Sequence, residues 1–199
     1  IDEDALEQTV NLSGITAGGG ESQPLRVIAT SDNTDLIADP TVNYTSAEPT
    51  GSLKFTPASD ASGSAVITVT VEDGGPDGDI STTGDNLSHS QTFTVTVTPV
   101  NDLPTLAALS NLTINEDADE QTVNLSGITA GGGESQPLRV TASSGNADLI
   151  ANLTIVYTSA DSTGSIKFTP VSDASGSVVI TVTVEDGGLD GDLGTPGDN

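Results

Sequence analysis

The stretch that decides the fold is AVITVTVEDGG at residues 65–75, which recurs as VVITVTVEDGG at residues 178–188. Apolar residues alternate with threonine along it, so that Ile67 and Val69 face one side of a strand and Thr68 faces the other. A glycine pair follows the final aspartate and ends the pattern. This alternation predicts a half-buried strand in an antiparallel sheet.

The same alternation recurs along the chain, between clusters of Gly, Pro, Asp and Ser, and no helical stripe of useful length interrupts it. We expect an all-β chain with about seven strands per repeat, the number found in β-sandwiches of the Ig type. Labelled in order, the expected strands are A near 107–116, B at 121–128, C at 137–143, D at 154–159, E at 164–169, F at 178–185, and G, which is seen only in the first repeat, at 90–100.

The chain contains two copies of one unit. Residues 1–86 align without gaps on residues 114–199, and 67 of these 86 positions are identical. We therefore predict one Ig-like repeat at 1–100, a linker at 101–106 and a second such repeat at 107–199, arranged as tandem β-sandwiches in an extended array.

The second repeat, as printed, has no counterpart of strand G. A sandwich without this strand would have an open edge and an uncovered core. Two explanations are open: further residues of a longer native array complete the repeat, or a neighbouring molecule supplies the strand. Ile1 opens directly into an acidic stretch, so no signal peptide is expected within this sequence.

Composition narrows the possible functions. The 29 acidic and 4 basic side chains give a formal net charge of −25, which repels nucleic acid phosphates and anionic membranes and attracts cations. No apolar run is long enough to cross a membrane as a helix. The chain has no cysteine, so disulfides cannot stiffen it. Metal ions are the expected substitute in an extracellular or cell-surface protein.

Calcium is the expected metal, because it binds several convergent carboxylate and carbonyl oxygens. In a seven-stranded sandwich the B–C and F–G loops lie at one end, and the E–F loop lies at the other end beside the linker. The acidic residues of the chain concentrate at these loops. The candidate ligands are Glu3, Asp60, Asp73, Asp77, Asp79, Asn101, Asp102, Glu116, Asp117, Glu134, Asp186, Asp190 and Asp192.

The strongest expectation concerns the junction of the repeats. Like charges gathered there would cost free energy unless a cation lay between them. The alternative is that these acids are ordinary solvated turn residues, since Asp and Gly dominate turns. The residues expected to meet are Asp60, Asn101 and Asp102 from the end of the first repeat and Glu134 and Asp186 from the start of the second.

Three stretches resemble a known family: TVTVTPVNDLPTL (94–106), INEDADEQTVNLSGI (114–128) and FTPVSDASGSVVITVTVEDGG (168–188). They look like the tandem cadherin-like repeats, of the VNDAPT type, found in large bacterial surface adhesins and extracellular matrix proteins. The resemblance implies an Ig-like sandwich, secretion, calcium-rigidified joints and a role as a spacer or adhesive stalk. By similarity to cadherins, Glu3 and Glu116 match the first-strand Glu, Asn101 and Asp102 the linker motif, and Asp73 and Asp186 the Asp ending strand F. The B–C loop departs from the cadherin pattern, because TAGGGE replaces paired aspartates.

Catalysis is not expected. The single histidine, His89, has no counterpart in the second repeat, and nothing indicates a Ser-His-Asp triad. We predict a non-catalytic, calcium-stiffened spacer whose partners are neighbouring repeats of the same long chain and other copies in a fibre, without nucleic-acid binding or membrane insertion. Two alternatives remain open: a subunit of an extracellular filament that exchanges strands between copies, and a carbohydrate-binding module, which would need exposed aromatics.

Overall fold

The computed structural model describes residues 1–195. The chain divides into two compact units, Ile1–Val100 and Asn101–Asn199. The described residues form eleven strands and no helix, so the predicted all-β fold with antiparallel sheets is confirmed. Accordingly, no helix among them is long and apolar enough to cross a membrane. Residues 196–199 of the predicted second repeat lie outside the described residues.

Unit 1 contains two three-stranded sheets, ordered β1-β4-β3 and β2-β5-β6, with antiparallel pairing. One core cluster collects Leu53 and Ile67 from different sheets, and both side chains are fully buried. Burial of such a side chain contributes about 1.5–3 kcal/mol, so the sandwich rests on this shared core. The strands are β1 (Gln8–Ser13), β2 (Leu25–Ser31), β3 (Thr41–Asn43), β4 (Thr50–Phe55), β5 (Gly63–Asp73) and β6 (Ser88–Val97).

Unit 2 repeats this plan with one strand fewer among the described residues. One sheet has the order β7-β10-β9, and the other contains only β11 and β8. Its core includes Leu125 and Ile166, the counterparts of Leu12 and Leu53. The strands are β7 (Gln121–Ser126), β8 (Leu138–Ser144), β9 (Thr154–Val156), β10 (Thr163–Phe168) and β11 (Ile180–Asp186).

The prediction of strand A near 107–116 is wrong, because these residues form no strand. A single antiparallel bridge joins Thr105 to Thr129 just before them. In unit 1 the chain start instead makes a parallel bridge from Asp2 to Thr98, directly after β6. The chain start of unit 1 thus forms only an isolated bridge, and residues 107–116 form neither a bridge nor a strand. The other six strands are confirmed within a few residues at each end.

All four Lys and Arg side chains form ion pairs on exposed sheet surfaces. Arg26 Nε donates to Glu72 Oε2 at 3.0 Å, and Arg139 Nε makes the same contact with Glu185 at 2.9 Å. Lys54 and Lys167 complete the set with Glu7 and Glu120. Exposed pairs of this kind contribute little to stability, but they engage every lysine and arginine of a strongly acidic chain.

The Arg26 guanidinium, helped by the Asn86 amide, holds the pKa of Glu72 below its ordinary value. We expect Arg26→Met to raise the Glu72 pKa, measured by NMR titration of the carboxyl group. Because the folded-state pKa is lowered, the contribution of this pair to stability is present above the ordinary pKa and is lost as pH falls through the folded value. Lys54→Met is the control, since it removes an equal charge from a different sheet and should leave the Glu72 pKa unchanged. An unchanged Glu72 pKa in Arg26→Met would contradict the assignment.

Candidate calcium site

The candidate site in unit 2 is built around Asp186, the last residue of β11. The strand alternation turns this side chain inward, and it is 0% exposed. Its Oδ1 accepts hydrogen bonds from the Gly188 N–H at 2.8 Å and from Asn101 Nδ2 at 3.2 Å. Its Oδ2 is buried and has no hydrogen-bond partner among the described residues. A buried carboxylate oxygen of this kind is costly unless something compensates its charge.

The opening segment of unit 2, residues 101–103, is held beside this carboxylate by hydrogen bonds. Gln136 Nε2 donates to Asn101 Oδ1 at 2.8 Å, and the Asp102 N–H donates to Glu134 Oε2 at 3.2 Å. Gln136 Oε1 is also buried without a hydrogen-bond partner among residues 1–195. The Asn101 amide therefore bonds both to Asp186 and to Gln136, each of which has a buried oxygen still unsatisfied.

The glycines of the loop between β7 and β8 allow this close packing. A Cβ built on Gly131 would lie 2.4 Å from the Leu103 carbonyl oxygen, and one on Gly132 would lie 1.9 Å from Asp102 Oδ2. Any larger residue would therefore push the opening segment away. The sequence offers Glu134 of the TAGGGE loop as a candidate ligand, but its glycines were given no role. The three consecutive glycines were the available signal, since glycine often marks the close approach of another backbone.

The negative charge of the Asp186 carboxylate has no basic side chain to balance it. Every lysine and arginine is engaged in an ion pair elsewhere, and Arg139 pairs with Glu185 on the outer face of β11. No such side chain therefore neutralises Asp186. Removing one partner from a buried charge pair typically costs about 3–5 kcal/mol, which shows how unfavourable an uncompensated buried charge is.

The counterpart in unit 1 is arranged differently. Asp73 is 8% exposed, and its Oδ1 accepts the N–H groups of Gly75 at 2.9 Å and Leu87 at 3.0 Å. Glu21, the counterpart of Glu134, is exposed. In unit 1 the Leu87 N–H therefore bonds to Asp73 Oδ1. The counterpart of this oxygen in unit 2 is Asp186 Oδ1, which bonds to Asn101.

Four of the predicted ligands accept hydrogen bonds from backbone N–H groups of their own turns, which follow β5 and β11. They are Asp77, Asp79, Asp190 and Asp192. Asp77 Oδ1 accepts the Asp79 N–H at 2.9 Å, and Asp190 Oδ1 accepts the Asp192 N–H at 2.8 Å. Hydrogen bonds from Ser81 to Asp79 lower the pKa of that carboxyl. This geometry is typical of Asp-rich turns, so a calcium role for these four residues remains a prediction.

The predicted ligands at the other end of unit 1 include one buried acid. Glu3 is 4% exposed, and its Oε1 accepts the Val100 N–H at 2.8 Å. Asp60 is exposed and adopts a left-handed backbone conformation with φ of 54°. Glu3 therefore fastens the chain just after β6.

At the corresponding end of unit 2 both predicted acids are exposed. Glu116 is the counterpart of Glu3 but is not buried. Asp117 Oδ1 accepts the Asp173 N–H at 3.2 Å. Glu3 is therefore bonded to the chain segment after β6, whereas Glu116 is exposed.

The other side chains to consider are His89, for catalysis, and the two tyrosines, for sugar binding. His89 Nε2 lies 2.9 Å from Gln91 Nε2 at an exposed position. Tyr44 and Tyr157 are half-buried against the cores of their units, and burial raises the pKa of Tyr157. Neither tyrosine offers the flat exposed ring on which a sugar stacks, so the geometry gives a carbohydrate-binding role no support.

Comparisons with known proteins add little. No family model matches the sequence, and no curated protein matches it. Among solved structures, domains 1–6 of the surface layer protein SbsC align with 80% of this chain at 17% identity and a TM-score of 0.36. Domains 4 and 5 of the same protein align at 17% identity and a TM-score of 0.32. The chain spans 18% of the longer structure and 64% of the shorter one. At TM-scores this low, the similarity carries no argument about function.

Proposed function

We propose that this chain is a non-catalytic structural repeat of an extracellular adhesin or matrix fibre, and that Ca²⁺ binds at the start of unit 2. One observation carries the proposal. The Asp186 carboxylate is 0% exposed, its Oδ2 has no hydrogen-bond partner among residues 1–195, and no lysine or arginine neutralises it. A bound cation would remove that cost, and the rest of the cluster supplies oxygen chemistry suited to calcium.

The expected ligands are side-chain oxygens of residues that hydrogen-bond to Asn101 or Asp102. Asp186 Oδ2 and Gln136 Oε1 lack hydrogen-bond partners among the described residues, and Glu134 contributes a second carboxylate beside Asp102. Calcium takes six to eight oxygen ligands in flexible geometry, so water would complete the shell. Magnesium demands near-ideal octahedral geometry and gives up its water reluctantly, which favours calcium at a site built from carboxamide and carboxylate oxygens.

Binding at this place would stiffen the segment that opens unit 2. Asn101 and Asp102 lie in that segment, whereas Asp186 ends β11 and Glu134 lies between β7 and β8. A shared ion would join the end of β11 to the loop between β7 and β8 without a disulfide, and the hydrogen bonds of these ligands to Asn101 and Asp102 would hold the opening segment. That is the property a spacer needs, and the acidic composition attracts the ion. The expected partners are neighbouring repeats of the same kind.

The test is a thermal melt of the full chain in calcium and in chelator, followed by unit-specific hydrogen exchange. At a calcium concentration of about 100 times the Kd, binding adds about 2.7 kcal/mol, which should raise the Tm of unit 2 by about 10 °C or more. Asp186→Asn should abolish this shift. In chelator the same variant should be at least as stable as the wild type, because it removes an uncompensated buried charge.

The control variant is Asp148→Asn, which removes the same charge from an exposed position in unit 2. It should retain the full calcium shift. The proposal is contradicted if calcium does not raise the Tm, or if Asp148→Asn loses the shift as completely as Asp186→Asn. Loss of stability of Asp186→Asn in chelator would show that the carboxylate is satisfied without a metal.

A further inference from the structure

The outer edge of β8 is unpaired, and it lies on the side of this strand away from β11. β8 pairs with β11 alone among the described residues, just as β2 pairs on one side only, with β5. The same edge is therefore open in both units, in the interior of each repeat. An open edge of this kind presents backbone N–H and C=O groups that can pair with another strand.

The backbone groups on the outer edge follow from the hydrogen bonds on the inner one. The Gly145 N–H donates to the Val179 carbonyl at 2.9 Å, so the backbone of Gly145 points toward β11. Successive residues of an antiparallel strand point their N–H and C=O groups to opposite sides. The residues whose N–H and C=O groups therefore point to the outer edge are Leu138, Val140, Ala142 and Ser144.

One N–H group on each outer edge is capped by a side chain. Ser159 Oγ accepts the Leu138 N–H at 2.8 Å, and Ser46 Oγ accepts the Leu25 N–H at 2.9 Å in unit 1. Such a cap removes one donor from the edge, which limits pairing with other strands. It lies at the first residue of each strand and leaves the following residues open.

A second cap distinguishes β2 from β8. In unit 1, Asp39 Oδ1 accepts the Ser31 N–H at 2.8 Å, so β2 is capped at its last residue as well. Asn152 stands at the position of Asp39 in unit 2, and no side chain within residues 1–195 caps the Ser144 N–H. The outer edge of β8 is therefore open from Val140 to Ser144.

The β8 edge also lacks the residues that discourage strand pairing. Leu138–Ser144 contains no lysine, proline or acidic residue, although the whole chain carries 29 acids. Its one charged side chain, Arg139, forms an ion pair with Glu185 of the same unit. Two strands of this kind can approach each other without the repulsion that the acidic loops of this chain would meet.

We propose that the outer edge of β8 pairs with the same edge of a second copy of this chain, antiparallel and about a two-fold axis at Ala142. In this register Ala142 lies opposite Ala142 of the second copy, and Val140 lies opposite Ser144. The residues that pair are the uncapped ones, and each exchanges N–H and C=O hydrogen bonds with the other copy. The capped Leu138 N–H falls outside the paired region. Such a contact is isologous, as in most dimers.

The side chains of β8 are self-complementary in this register. Thr141 and Ser143 are exposed on the outer face of the sheet, and Thr141 would lie opposite Ser143 of the second copy. Cross-strand pairs of Thr with Ser form hydrogen bonds that stabilise antiparallel sheets. Arg139 would lie opposite Gly145, which has no side chain to clash with it. No charged side chain of the paired strands therefore faces a like charge.

The contact is small, so the dimer is expected to be weak. A single strand from each copy buries less than the minimum of about 1,200 Å² that is usual for stable interfaces. The net charge of −25 on each copy also opposes association, and salt screens this repulsion over about 8 Å at physiological ionic strength. Added salt should therefore strengthen the pairing.

The experiment follows the full chain by sedimentation and by NMR hydrogen exchange, at concentrations up to about 1 mM in about 0.5 M salt. All samples contain chelator, so the outcome does not depend on calcium binding. Sedimentation should show a reversible equilibrium of monomer and dimer. In the dimer the amides of Val140, Ala142 and Ser144 should exchange about tenfold or more slowly than in the dilute chain. The Val27 and Ala29 amides of β2 should be unchanged.

Charge substitutions on the outer face test the register. Thr141→Glu with Ser143→Glu places like charges opposite each other and should lower the association constant by about tenfold or more. Thr141→Lys with Ser143→Lys should have the same effect, whereas a mixture of the two variants should restore the dimer as a mixed species. The matched control is Ile28→Glu with Thr30→Glu, at the counterpart positions of β2, which should leave the dimer intact.

Three results would overturn the proposal. The first is a chain that stays monomeric up to about 1 mM in the high-salt sample. The second is a dimer whose protected amides lie outside residues 140–144, for example along β11, because the contact would then use another edge. The third is equal weakening by the glutamate substitutions in β8 and in β2, which would show that total charge alone controls association.

Discussion

Ile67→Ala is expected to destabilise unit 1 by about 2–5 kcal/mol, whereas Ile180→Ala should destabilise unit 2 by clearly less. The two isoleucines lie in identical seven-residue sequences, but Ile67 is fully buried between β2 and β6, and Ile180 is half-buried at an open edge. The cost of truncation grows with the cavity left behind. A partly exposed site fills with water and leaves a smaller cavity.

The measurement is hydrogen exchange by mass spectrometry in increasing denaturant, which reports each unit from its own peptides. Peptides that span β4 and Ala58 give the free energy of unfolding of unit 1, and those that span β10 and Val171 give that of unit 2, because these two residues differ in mass. Val66→Ala is the control in unit 1, because its side chain lies on the other face of β5 and is only half-buried. Equal costs for Ile67→Ala and Ile180→Ala would show that the β11 edge is covered in solution.

Gly131→Ala is expected to destabilise unit 2 by about 1–3 kcal/mol more than Gly18→Ala destabilises unit 1. Both glycines have positive φ, 97° and 84°, so both substitutions carry a similar backbone strain of about 1–3 kcal/mol. Only at Gly131 would the new Cβ also lie 2.4 Å from the Leu103 carbonyl oxygen. At Gly18 it would meet nothing within 4 Å.

This comparison isolates packing from backbone conformation, because the flanking residues 7–27 and 120–140 are identical. Unit-specific hydrogen exchange again gives the two free energies. Gly131→Ala should also weaken calcium binding, because displacement of Leu103 moves Asp102 away from Glu134. Equal destabilisation by Gly131→Ala and Gly18→Ala would mean that residues 101–103 do not pack on this loop in solution.

The strand pattern could be predicted because it is local. Alternation of Thr with Ile and Val fixes which residues face inward, and it located six of the seven expected strands without knowledge of their partners. Strand A was predicted wrongly because its pairing is not local. In unit 1 the chain start bridges to Thr98, so the pairing partner of this segment lies about a hundred residues away in the sequence.

The candidate site was predictable in outline. Topology placed Asn101, Asp102, Glu134 and Asp186 among the residues expected to meet, and within unit 2 the structure joins Asn101 to Asp186 and Asp102 to Glu134. The burial of Asp186 and the part played by Gln136 were not predictable, because both depend on how the opening segment packs. Identical loops differ for the same reason, since Gly18 is exposed and Gly131 is buried.

The parallel bridge near the start of unit 1 has a mechanical consequence. The Glu3 N–H donates to the Thr98 carbonyl at 3.0 Å, and the Thr98 N–H donates to the Ile1 carbonyl at 2.8 Å. These bonds join the first residues of the unit to its last strand. Tension applied through the two ends of the unit would pull the paired segments along their length in opposite directions, so the bonds would bear the load together instead of opening one by one. Two short parallel segments loaded in this way resist extension more than the number of their hydrogen bonds would suggest. They would separate before the two sheets of the unit unfold.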